Sequence, residues 1–113
     1  MDKLTNYRNI IKHILSTRLE RKGSNPQPEI EDFMIADEAR DHYLLFSLGW
    51  WECKRIRNFS IYVRIVDGKF WIEHDLTEAG IATELLEAGV PKEDIVLAFH
   101  APELRELTEF AAA

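Results

Sequence analysis

Leu4, Tyr7, Ile11, Ile14 and Arg18 step by three and four, and Ile10 and Leu15 widen the stripe. This spacing predicts an amphipathic helix over residues 3–21 with one face packed. In "KGSNPQP", Gly23 suits a helix C-terminus, and Pro26 and Pro28 forbid continuation. The period then changes. Residues 33–36, 42–51, 59–66 and 69–74 are rich in aromatic and β-branched side chains and read as strands. Between the last two runs stands Asp67-Gly68, the residues a tight type I′ hairpin turn demands because both central positions need positive φ.

A two-residue loop there sets Val66 opposite Lys69, Ile65 opposite Phe70 and Arg64 opposite Trp71. Continued regularly, it brings His74 opposite Ile61. Ile61, Val63, Ile65, Phe70, Ile72 and His74 then share the core face, and Tyr62, Arg64, Trp71 and Glu73 share the other. Arg64 faces Trp71 at cation–π reach. Alternation in 42–51 groups Leu44, Phe46, Leu48 and Trp50 as core. It sends Tyr43, Leu45 and Trp51 to the amphipathic face.

Thr77 to Ala88 reads as a second helix with Ile81, Ala82, Leu85 and Leu86 on its apolar stripe. Asp75 or Thr77 suits its N-cap, and "DLTE" has the form of a capping box. "EAGVP" fits a Schellman stop, with Gly89 left-handed and Val90 folded back on Leu85. "IVLAF" is a short buried segment, strand by its length and β-branching, and Pro102 starts a last short helix through Leu104 and Leu107. The expectation is one α+β domain over residues 1–113. It comprises an N-terminal helix, an antiparallel sheet of about four strands in meander order, a second helix and a short irregular C-terminal segment.

Composition supports a globular domain: 113 residues, 46% hydrophobic and 30% charged. No apolar run approaches the ~20 residues of a membrane span, and "MDKLTNYRN" lacks a signal-peptide apolar core. Cys53 is the single cysteine, which excludes an intrachain disulfide or thiolate cage and suits a cytoplasmic location. The net charge of −6 argues against a general nucleic-acid binder. It is unevenly placed. Residues 1–22 carry six basic side chains against Asp2 and Glu20, a local +4 that leaves −10 for the remainder. Such a helix is suited to contact DNA, to pair with its own acidic body, or to meet an acidic partner.

"KFWIEHDLTE" puts Glu73, His74 and Asp75 in a row with Glu78 close behind. In an alternating strand, Glu73 and Asp75 point away from His74, and Asp75 and Glu78 sit where helix N-terminal amides want negative charge. The stretch therefore reads as a strand-to-helix junction. His74 and His100 would form a zinc site only if their segment ends met, with Glu78 or Asp75 as further ligand. None of His13, His42, His74 and His100 lies in an HxxxH spacing, and no Gly-x-Ser-x-Gly, GxGxxG or GxxxxGK[ST] motif occurs. Tyr43, Trp51, Tyr62, Arg64 and Trp71 instead collect on the amphipathic face. Aromatic and Arg residues of that kind favour a protein interface, and with it a homodimer or higher oligomer.

"ARDHYLLFSLGW", "DGKFWIEHDLTE", "GVPKEDIVLAFHAP" and the terminal "TEFA", in this order after "LTNYRNIIKHIL", resemble the XisI family of fdxN-element excision controlling factors. The resemblance covers nearly the whole chain. It implies a small α+β domain, an accessory role in excising a DNA element cut by a separate recombinase, and a XisH-like partner protein. It supplies no catalytic residue and no cofactor. The matching positions are Arg40, Asp41, His42, Trp71, His74, Glu78, His100 and Glu109; Tyr62 and Arg64 stand where members often carry His and Asp. Two functions of different class follow: an accessory factor acting through protein contacts, or a small metal-dependent hydrolase or nuclease-like enzyme using His74, His100 and Glu78.

Overall fold

The computed structural model describes residues 2–21, 29–76 and 80–113. The amphipathic stripe forms α1, Lys3–Arg21, and buries Tyr7, Ile11, Ile14 and Leu15. The sheet strands are β1 (Ile30–Asp37), β2 (His42–Trp51), β3 (Lys54–Val66), β4 (Lys69–Asp75) and β5 (Ile95–Val96). They lie in sequence order. The first four form the expected antiparallel meander. The sheet is nevertheless five-stranded and mixed, because β5 pairs parallel to β4. A parallel pair needs a crossover connection, and α2 (Ile81–Glu87) lies in it. The last helix, α3, is the single turn Pro102–Arg105.

The local signals explain the junctions. Asp67 and Gly68 have φ of 51° and 75°, and Val66 pairs with Lys69 as a two-residue loop requires. Glu52 and Cys53 make a second such turn, with φ of 46° and 67°, between Trp51 and Lys54. The Asp75 carboxylate accepts the Ile81 N–H at 2.7 Å, so it does serve the start of α2, which begins later than the sequence suggests. Thr77 and Glu78, and with them the capping box, lie outside the described residues. At the other end the Val90 N–H reaches Leu85 O and the Gly89 N–H reaches Leu86 O, each at 3.0 Å, which is the Schellman pattern. Gly49 answers a close approach: a Cβ there would stand 2.1 Å from Glu29 O, so β1 enters the sheet only past a glycine.

One face of the sheet carries the core. Tyr7, Ile11, Ile14 and Leu15 of α1 meet Tyr43, Leu45, Ile61, Val63, Ile65, Phe70 and Ile72, and Ile81, Leu85, Val90 and Ile95 close the side toward β4. Tyr7 stacks on Phe70 with ring centroids 4.7 Å apart.

Two β-bulges reverse part of the expected facing. The first lies between Leu45 and Phe46: Phe46 pairs with Phe59, yet Leu45 pairs with Ile61, leaving Ser60 as the extra residue. Counting regularly from the Glu52-Cys53 turn would set Leu44 opposite Ile61; the bulge sets Leu45 there and Tyr43 opposite Val63. Tyr43 is consequently a core residue, fully buried. Leu44, Phe46, Leu48 and Trp50 belong to the outer face, and Trp50 is 53% exposed. Trp51 alternates onto the same side as Tyr43, not beside Tyr62, and is 41% exposed at the hairpin end. The second bulge, between Tyr62 and Val63, pairs His74 with Tyr62 rather than Ile61. His74 therefore leaves the core face.

Candidate functional site: the outer face of the sheet

Four rows of paired residues cross β1, β2 and β3 on the outer face. They run Asp37–His42–Arg64, Ile35–Leu44–Tyr62, Phe33–Phe46–Phe59 and Glu31–Leu48–Arg57. Trp50 and Arg55 extend them by one pair, with the Arg55 guanidinium 5.2 Å from the Trp50 ring centre. The two central rows are wholly apolar or aromatic, while the outer rows put carboxylates on β1 and guanidinium groups on β3. Among the described residues, both long helix faces go to the opposite side of the sheet.

The histidines fall into this frame. The His42 Nδ1 and the Tyr62 hydroxyl are hydrogen-bonded at 2.7 Å. Tyr62 meets the edge of Phe59 at 5.9 Å, and Phe59 meets His74 edge-on at 4.8 Å. His42, Tyr62, Phe59 and His74 thus form a continuous ring chain across the strands. His100 is not part of it: its ring lies 4.5 Å from Phe99, and its carbonyl accepts a hydrogen bond from Arg105. Glu78 lies outside the described residues. Among the described residues, no three His, Cys, Asp or Glu side chains come together as a metal-holding group.

Of the five expected interface residues, Tyr62, Arg64 and Trp71 do share the outer side. Arg64, however, donates to Glu73 at 2.9 Å instead of stacking on Trp71. The guanidinium above Trp71, at 5.5 Å, belongs to Arg105, which also donates to Ala98 O and His100 O. The C-terminal segment therefore caps the β4 end of the face, and among the described residues no helix packs on β1–β3 from this side. Sequence reasoning missed Phe33, Ile35, Phe46 and Phe59 as face residues. The available signal was that both alternating sets of β2 are apolar, so hydrophobicity alone cannot choose between them.

On the helix side, the cations of α1 are taken up by the chain itself. Lys3 pairs with Asp94 at 2.9 Å and Arg8 with Asp41 at 2.7 Å, and Lys12 pairs with Glu38 and Arg18 with Glu84. Two of these pairs also receive a buried tyrosine. Tyr43 donates its hydroxyl to Asp41 at 2.9 Å, and Tyr7 donates to Asp94 at 2.5 Å. The Arg8 hydrogen bond holds the Asp41 carboxyl below its ordinary range, against the opposing effect of burial. Burial, reinforced by the carboxylate partner, pushes both tyrosine hydroxyls up. Arg40 and Glu109 are likewise engaged, with Asp37 and Lys92.

The comparisons agree with this architecture. The family model described as XisI protein matches residues 1–112. The chain belongs to the XisI family. The fdxN element excision controlling factor XisI from Anabaena variabilis ATCC 29413 is similar at 45% identity, with a TM-score of 0.84 over 99% of this chain and 100% of that one. A XisI-like protein from the same organism is similar at 34% identity, with a TM-score of 0.91 over 97% of this chain and 99% of that one. The search of curated proteins gives no match. No helix among the described residues is long and apolar enough to cross a membrane.

Proposed function

We propose that this XisI-family chain is a non-enzymatic controlling factor in the excision of a DNA element, working through protein contacts while a separate recombinase does the cutting and joining. The observation that carries this is the 45% identity, over essentially the full length of both chains, to a structure named as an fdxN element excision controlling factor. The geometry is consistent with it. Of the residues offered for hydrolysis, the two histidines have separate ring neighbours, since His74 joins an aromatic ring chain while His100 packs on Phe99. No three His, Cys, Asp or Glu side chains come together as a metal-holding group among the described residues. The basic helix spends Lys3, Arg8, Lys12 and Arg18 on internal ion pairs. That leaves an acidic body which repels the phosphate backbone.

A XisH-like protein is the partner this reading requires. Co-expression with the XisH-like protein of the same genome should yield a complex that survives size exclusion at constant stoichiometry. Separate elution of the two would defeat the partner assignment. Submicromolar, sequence-independent DNA affinity of the chain alone at ~150 mM salt would defeat the protein-contact reading.

A further inference from the structure

The open part of the sheet has a charge pattern that its apolar centre does not explain. Glu31 and Asp37 stand at the two ends of β1 on the outer face, and Arg57 and Arg64 stand at the corresponding ends of β3. Between them lie Phe33, Ile35, Leu44, Phe46, Phe59 and Tyr62, and Ile35 is 42% exposed despite its position in a strand. Asp37 and Arg64 have partners within the chain, Arg40 and Glu73. Among the described residues, Glu31 and Arg57 show no such pairing.

We propose that this face is the interface of a homodimer whose two-fold axis runs along β2. The acidic strand β1 of each protomer then lies over the arginine-bearing strand β3 of its partner. Sheets pack face to face about 10 Å apart, so the apolar rows of the two copies meet in a dry layer. Rotation about an axis along β2 exchanges β1 for β3 and preserves position along the strands. Glu31 therefore meets Arg57 of the partner subunit and Asp37 meets Arg64 of the partner subunit, twice each by symmetry. An axis across the strands gives the opposite result, setting β1 over β1 reversed, so Glu31 would meet Asp37 and Arg57 would meet Arg64, like against like. Charge thus selects one of the two face-to-face arrangements. The about 30° twist of aligned sheets moves the strand ends by only a few ångströms, within the reach of Glu and Arg side chains. Self-association of this kind is independent of the excision role.

The test uses two charge reversals made in separate chains. Glu31→Arg sets a new guanidinium against that of Arg57 across the dimer, and Arg57→Glu sets a new carboxylate against that of Glu31. Each variant alone should be a folded monomer in light scattering, with self-association weakened about tenfold or more against a dimeric wild type. Mixed, they should form a heterodimer, because every cross-protomer pair is then opposite in sign. A wild type that stays monomeric in the micromolar range overturns the proposal. So do variants that remain dimeric alone, or a mixture that stays monomeric. If a reversal unfolds the chain, Leu44→Cys in a Cys53→Ser background gives the second measurement. Leu44 lies on the axis, so a short bismaleimide should join the new thiol to its own copy; absence of the crosslinked dimer overturns the arrangement.

Discussion

Tyr43 and Leu44 are neighbours in β2, yet Tyr43 is fully buried beneath α1 while Leu44 turns outward between Ile35 and Tyr62. The two faces they begin differ in how their polar groups are satisfied. On the helix side, the charges bordering the core are closed within the chain: Arg8 and Tyr43 share Asp41, and Lys3 and Tyr7 share Asp94. On the outer side closure is partial: Asp37 and Arg64 pair with Arg40 and Glu73, while Glu31 and Arg57, in the row through Leu48, find no such closure among the described residues. Hydrophobicity alone does not separate these faces. Completion of the polar contacts does, because a buried charge needs a partner at once and an exposed one can wait for a second molecule.

The largest expected effect comes from the same truncation on the two sides. Ile61→Ala empties a fully buried site on β3 and should cost about 2–5 kcal/mol in equilibrium denaturation. Leu44→Ala, on the adjacent strand but the outer face, should cost less than half as much. Its cost should also rise with protein concentration as the association it supports becomes populated. Equal and concentration-independent losses would show that the outer face is closed within the monomer.

Much of the frame was legible in the sequence. The period of α1, the Asp67-Gly68 hairpin and the Schellman stop at Gly89 are local devices, each written in a few adjacent residues, and each stands where it was expected. The facing of β2 was not legible, because it depends on one extra residue at Ser60 in the partner strand, and a bulge leaves no composition signal. The same applies to His74, turned out of the core by the irregularity beside Tyr62. The parallel fifth strand was half visible: "IVLAF" read as a strand, but its pairing with β4 depends on where α2 returns the chain. The ring chain from His42 to His74 follows from both bulges together, so no motif search would have assembled it.

A middle-sized effect tests closure on the helix side. Asp41 has a φ of 59°, a conformation Asn tolerates, so Asp41→Asn removes the charge without backbone strain. Arg8 and the Tyr43 hydroxyl then lose a charged acceptor, at a cost of about 2 kcal/mol. The pH dependence has a definite sign. The folded Asp41 carboxyl lies below its ordinary value of 3.8, so its contribution is complete above that value and is lost as pH falls through the folded pKa. Tyr43 is shifted up from 10.0, so its contribution holds below that value and fades as pH rises beyond it. Denaturation midpoints of the wild type should therefore fall at both extremes, and Asp41→Asn should flatten the acid side. An unchanged acid limb would remove Asp41 as the anchor of α1.

The smallest effect on stability is expected where the effect on assembly is specific. Arg57 is exposed and, among the described residues, has no ion partner in its own chain, so Arg57→Gln should shift the unfolding free energy by no more than about 0.5 kcal/mol in dilute solution. Arg8→Gln, by contrast, breaks an ion pair with Asp41 and should lower stability at any concentration. If the Glu31 and Arg57 charges are completed by a second copy, Arg57→Gln will instead weaken self-association measured by sedimentation, and added salt will weaken the wild type in the same direction. A loss of monomer stability in Arg57→Gln matching that of Arg8→Gln would place the closure of Arg57 inside the chain. The contrast between the two faces would then be one of hydrophobic covering alone.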